Sequence, residues 1–226
     1  MRRILALTVC FTMLCGTPAL ATVDGGCTGQ SCDDTSVATA DTALAPHHYL
    51  IGGKPVALSD AEAQRQQRCL GLVAFGEARS EGRDGMLAIV FVVMNRLRAI
   101  ADGDLPPPPV AKDRKILPCD VVAQKGAFES LRHARFHRAL LSIRRGRAPL
   151  LRKHDDPTER QSLELADTLA HDVMTGKLTD DVTRGATHFY CPAEQRQLRR
   201  RKPEWTETMV ATAYIGKQVF YRQEGS

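Results

Sequence analysis

The chain has 226 residues, with 31 Lys and Arg against 26 Asp and Glu and a formal net charge of +5. That length suits one domain of roughly 150–170 residues plus a tail, large enough to bury its own core without staples. The near balance of charge argues against a nucleic-acid-binding protein, because the basic runs (Arg144, Arg145 and Arg147; residues 199–202) are short and read as solvated loops.

Met1-Arg2-Arg3, an apolar run over residues 4–14 and Ala19-Leu20-Ala21 form the three parts of a secretory signal peptide, residues 1–21, cut after Ala21. The run falls short of the roughly 20 residues that span a bilayer, so no stable membrane span is expected after cleavage. Bulky Leu14 before Cys15 argues against lipidation. Removal of Arg2 and Arg3 with the signal leaves 205 residues at +3, a mild positive charge that suits an anionic polymer or envelope surface. The product is expected to be exported, periplasmic or associated with a cell wall, and monomeric. Five cysteines remain: Cys27, Cys32, Cys69, Cys119 and Cys191. The odd count leaves at least one unpaired within a monomer. Cys27 and Cys32 can close a small loop, and Cys69, in an apolar helix, reads as a buried thiol.

Residues 22–58 read as a disordered leader, rich up to residue 46 in Thr, Ala, Gly, Ser and Asp. The His47-His48 doublet is a solvated polar step. The folded domain is expected over residues 59–226. It opens on a capping box, Ser59-Asp60-Ala61-Glu62, and a helix running to Glu77 or Arg79. A second helix is predicted over residues 84–100, its segment 86–94 apolar on every face and therefore buried. Gly103 and four consecutive prolines make residues 102–113 a stiff, exposed connector. A short helix or turn follows at residues 119–124, then Lys125-Gly126-Ala127-Phe128. A third helix is predicted over residues 131–145. A fourth, capped by Thr158 with Gln161, runs through Leu163, Ala166, Leu169, Ala170 and Val173 to Gly176. The β-branched and aromatic segment 183–190 and the segments 209–215 and 219–221 read as strands. Helices first and strands last give an α+β fold, mainly helical with a small antiparallel β-sheet near the C-terminus.

Rival chemistries are poorly supplied. His133 and His137 stand four apart, but Ala134 occupies the place of a zinc-protease glutamate and no motif supplies a third ligand. No metal and no cofactor are expected. Neither Gly-x-Ser-x-Gly nor a cysteine-protease signature occurs. Glu77 follows Leu70, Val73 and Ala74 at offsets of seven, four and three, which puts a carboxylate in line with an apolar stripe. On spacing alone this describes a helix-end glutamate held by Arg79 or Arg83. Spacing alone favours that reading; a general acid is the alternative, since an apolar setting raises a carboxyl pKa. Glu81 is too close along the helix to face Glu77 across a sugar, and no spacing recommends Asp84. The pattern therefore suggests a one-carboxylate mechanism, acid first and then base toward the substrate's own hydroxyl.

Phe75-Gly76-Glu77-Ala78-Arg79-Ser80-Glu81-Gly82, Gly85 and the run into Asn95-Arg96 resemble the opening of the cell-wall hydrolase family of spore cortex-lytic enzymes, the SleB/CwlJ type. Val121-Val122-Ala123-Gln124 with Ala127-Phe128 resembles its middle block. Gly185-Ala186-Thr187-His188-Phe189-Tyr190, Trp205, Ile215-Gly216 and Phe220-Tyr221 resemble its closing block. The resemblance spans residues 65–222 and implies a lysozyme-like fold with a cleft for peptidoglycan glycan strands. It also implies cleavage of the MurNAc–GlcNAc bond, by hydrolysis or as a lytic transglycosylase, with Glu77 as acid/base. His188 and Tyr190 alternate along a strand and so share a face. With Phe128 they are the expected substrate contacts. Gln218 stands where the family carries histidine, the connector after residue 102 is longer, and the basic insert near Arg199 is unusual. A non-catalytic wall-binding scaffold and a metal-dependent amidase are the alternatives.

Overall fold

The computed structural model describes residues 47–110, 114–148 and 156–224; the signal segment, most of the leader and the Cys27–Cys32 pair lie outside them. Two helices joined by a tight turn organise the core. Helix α1, Asp60–Ala78, runs through a 3-10 turn, Arg79–Glu81, into α2, Gly82–Asp102. Ala88, Ile89, Val90, Val92 and Val93 of α2 are fully buried, as an element apolar on all faces must be. The Ser59 hydroxyl accepts the Glu62 N–H at 3.3 Å, but the Glu62 carboxylate turns to Arg65 and Gln66, so only half of the expected box forms. Gly103, at φ 89°, closes α2, and no helix among the described residues is long and apolar enough to cross a membrane.

Order begins earlier than the sequence suggests. Strands β1, His47–Ile51, and β2, Lys54–Leu58, pair as an antiparallel hairpin. The two-residue turn Gly52-Gly53 has φ of 58° and 79°, a conformation that glycine adopts without strain. Ile51, Val56 and Leu58 reach the core, so residues 47–58 are part of the folded unit rather than of a disordered leader. Loop-like composition had hidden a short alternation.

Cys69 is buried as expected, but it is not a thiol: it is bonded to Cys119 of α3, Pro118–Val122, across 5.3 Å between Cα atoms. Apolar spacing shows burial and carries no information on pairing. Gln66 reinforces the same contact, its side-chain oxygen accepting the Cys119 N–H at 2.7 Å. The third helix is split. Residues Ser130–Arg132 form a 3-10 turn, His133 is extended, and α4 spans Ala134–Arg144. The break separates the turn that meets α1 from the helix whose Phe136 packs on Phe75, ring centroids 6.0 Å apart. Helix α5, Pro157–Met174, is capped not by Thr158 but by Asp156, whose side chain accepts the Thr158 N–H at 2.9 Å.

The second sheet has the order β3-β5-β4, all antiparallel, from β3 His188–Tyr190, β4 Met209–Ile215 and β5 Gln218–Gln223. A short helix α6, Pro192–Gln197, and a 3-10 turn, Glu204–Glu207, fill the span between β3 and β4. Residues 183–187 are a loop rather than strand. Buried Asn95 holds that loop, donating to Asp181 Oδ2 at 2.9 Å, Ala186 O at 3.1 Å and Thr183 Oγ1 at 3.2 Å. The α+β class with a small antiparallel sheet near the C-terminus thus stands.

The Cys69–Cys119 bond closes a loop across a sequence separation of 50 residues. Replacing both cysteines by alanine should keep the fold and lower its stability by about 2–4 kcal/mol in urea unfolding. An unchanged midpoint would show that packing and the Gln66 bond already fix α3.

Candidate active site

Glu77 occupies the last turn of α1, where the apolar face of the helix leaves the core. It lines a cleft of 670 Å³. The backbone N–H of Ser130 donates to Glu77 Oε1 at 2.7 Å. Gly76 permits this approach: a Cβ there would lie 2.6 Å from Ser130 Oγ and 3.2 Å from the Phe136 ring. Burial raises the Glu77 pKa above its ordinary value; the Ser130 hydroxyl and N–H pull it down, and the Glu129 and Glu194 carboxylates add to the rise. Burial has the largest influence, so the protonated form persists to a pH above the usual carboxylate range.

The plainer reading of Glu77 as an ion-paired helix end is overturned. Arg79 lies over the Phe75 ring at 5.4 Å, and Arg83 pairs with Asp84 at 3.5 Å. Glu81 plays a separate, structural part. Its Oε2 accepts the Lys217 N–H at 2.9 Å and steadies the turn between β4 and β5. Gln218 reaches the same neighbourhood. Its Nε2 donates to the Glu77 carbonyl at 3.0 Å, and its Oε1 is buried in the cleft wall with no partner among the described residues.

His188 and Tyr190 do share a face, and both line the cleft. Trp205 packs on them with centroids 5.1 Å from His188 and 6.0 Å from Tyr190, and Tyr221 completes the cluster 5.3 Å from Trp205. Burial and the nearby Arg96 charge lower the His188 pKa to about 4, so this ring is neutral at neutral pH. The Thr187 hydroxyl lies 2.9 Å from its Nδ1. Phe128 is not brought into this group. It is 2% exposed and lies beneath Arg96, whose guanidinium carbon is 5.4 Å from the ring, and beside Phe189. Gly126 and Ala127 form the wall there, and the large apolar ring turns inward.

Sequence reasoning found no second carboxylate, yet Glu129 and Glu194 line the cleft with Glu77. Glu129 is engaged by Arg132 at 3.1 Å and Arg200 at 3.4 Å. Its neighbour Ser130 was also missed, because nothing in the chain marks a contact between residues 53 apart. Arg96 was visible as a charge ending an apolar run. Among the described residues no group of three or more His, Cys, Asp or Glu side chains is placed to hold a metal.

The sequence profile of a family described as cell wall hydrolase matches residues 80–221, a span that begins three residues after Glu77. Among solved structures, the chain is similar to the catalytic domain of the Bacillus cereus SleB protein, at 17% identity and a TM-score of 0.39, over 70% of this chain and 91% of that one. It is also similar to the catalytic domain of the germination-specific lytic transglycosylase SleB of Bacillus anthracis. That match has 18% identity and a TM-score of 0.42, over 75% of this chain and all of that one. No curated protein matches the chain.

Glu129→Gln removes a negative neighbour and so favours the ionised form of Glu77, which lowers its pKa. If Glu77 is the acid, the alkaline limb of the pH profile for cell-wall turnover should therefore move to lower pH. A limb that stays in place or moves up would show that Glu129 does not act on Glu77.

Proposed function

Because the chain belongs to the cell wall hydrolase family, we propose that it is an exported enzyme cutting the glycan strand of peptidoglycan at the MurNAc–GlcNAc bond. The observation that supports this reading best is the Glu77 carboxyl, its pKa raised by burial, in the lining of an aromatic-walled cleft. Protonated Glu77 gives its proton to the glycosidic oxygen, and the bond to the muramic C1 breaks as oxocarbenium character develops there. The carboxylate that remains then takes the proton of the C6 hydroxyl of the same sugar, whose oxygen closes on C1. The product is an anhydro-muramic end, and Glu77 is again protonated. The Ser130 N–H favours the carboxylate that forms after the first proton transfer, while burial favours the acid before it. One group thereby serves both half-reactions. His188, neutral, and Tyr190 and Trp205 offer a sugar flat faces and polar edges.

A second reading has an observation of its own. Glu194 lines the cleft and can serve as base toward a water, giving hydrolysis and a reducing end.

Digestion of purified peptidoglycan by wild type and Glu77→Gln, with products read by mass spectrometry, separates these outcomes. Wild type should release anhydro-muramic ends, and Glu77→Gln should lower the rate by about 10²–10⁴-fold, the usual contribution of a general acid or base. Reducing ends lost in Glu194→Gln would establish the hydrolytic reading. Freed peptides abolished by a chelator would mean an amidase, and no products at all a wall-binding scaffold.

A further inference from the structure

Arg96 is a guanidinium in the wall of the cleft with little to hold it. It follows Asn95 near the end of α2, at the close of the buried run. Its contacts are the Ala127 carbonyl at 3.4 Å and the face of Phe128. A guanidinium carries five N–H donors in a planar fork. No carboxylate among the described residues stands within ion-pair distance of it. Burial lowers its pKa, and its charge is felt by His188. A desolvated charge without a partner is costly, and an incoming anion offsets that cost.

The surroundings say where the anion sits. Beyond His188 the cleft continues into a smaller pocket of 230 Å³, between Leu105 and Pro106 of the connector and the loop carrying Gln124 and Lys125. Arg96 and His188 line both spaces. Among the described residues the side pocket has two cations, Arg96 and Lys125, and no acidic side chain in its wall. The main cleft holds Glu77, Glu129 and Glu194. The main cleft mixes these acids with Arg96, Arg132 and Arg200, whereas the side pocket carries only positive charge among the described residues.

Resting on the glycan-strand reading above, we propose that Arg96, assisted by Lys125, forms a subsite for a carboxylate carried by the glycan strand. The carboxylate lies in the side pocket, bridged by the guanidinium fork, while the sugar chain crosses His188 and Trp205 toward Glu77. Two sources share this chemistry, the lactyl group of a muramic residue without peptide and an acidic peptide stem. The subsite makes the enzyme a reader of strand decoration as well as a cutter of the strand.

Trp205 is the only tryptophan of the chain and packs on His188, so its fluorescence reports occupancy of the groove. The test uses Glu77→Gln protein to prevent turnover and three soluble probes of equal length. These are chitin oligosaccharides without carboxylates, peptide-stripped glycan fragments with free lactyl carboxylates, and stem-bearing fragments. At low salt the carboxylated probe that fits should bind about tenfold or more tightly than chitin oligosaccharide, the scale of a charge-assisted contact. Which of the two carboxylated probes gains identifies the source. Adding Arg96→Gln should bring the ratio toward one, Arg96→Lys should restore part of it, and Lys125→Gln should reduce it. Equal dissociation constants for all three probes would overturn the subsite while leaving the glycan-strand reading intact. Binding of none of them would overturn both. A folded Arg96→Gln protein, by circular dichroism and melting, that keeps the ratio would also overturn it. If that variant fails to fold, an unchanged ratio in Lys125→Gln and at high salt does the same.

Discussion

The burial of one carboxyl at the end of α1 is the constraint on which the site depends. A glutamate inside an apolar stripe is expensive as an anion, and no cation among the described residues pairs with it to reduce the cost. Three features of the fold keep it there. Gly76 removes the side chain that would block the approach, the 3-10 turn at Ser130 presents an N–H to the carboxyl, and Gln218 ties the backbone carbonyl of Glu77 to the C-terminal sheet. Each comes from a different part of the chain. They lock the surroundings of Glu77 without giving it a counter-charge.

The unpaired acid at Glu77 has its opposite in the same groove. Arg96 is likewise desolvated and without an ion partner among the described residues, and the neutral imidazole of His188 stands where both spaces of the groove meet. Glu129 pairs with Arg132 and Arg200, but among the described residues Glu77 and Arg96 pair neither with each other nor with another charge. Such an arrangement costs stability in the empty protein and fits a ligand that supplies a bond to be protonated at one point and an anion at another. Negative neighbours of Glu77 act in the same sense, since Glu129 and Glu194 favour the protonated acid.

The helices were legible wherever caps and periodicity agreed: Ser59 begins α1, and Gly176 follows α5 at φ 75°. The alignment of Glu77 with an apolar stripe was also legible from its offsets of three, four and seven, although spacing alone did not separate a cleft acid from an ion-paired helix end. The hairpin at residues 47–58 was missed because a glycine pair in a polar tail looks like disorder until its flanking alternation is weighed. Phe128 was misplaced because a motif reports that an aromatic is wanted, not whether it faces the cleft or the core. The pairing of Cys69 with Cys119, the Ser130 bond and the setting of Arg96 are tertiary facts. They depend on which surfaces of α1, α3 and the loop before α4 meet, and local patterns hold no trace of that.

Burial should let Glu77 keep its proton to a higher pH than an ordinary glutamate does. Carboxyl ¹³C NMR of glutamate-labelled protein, titrated with pH in wild type and Glu77→Gln, reads that property directly. The resonance missing from Glu77→Gln should titrate in wild type with a midpoint clearly above the other glutamates. A midpoint at or below theirs would contradict the account, since the carboxyl would then be an anion throughout the neutral range and have no proton to give.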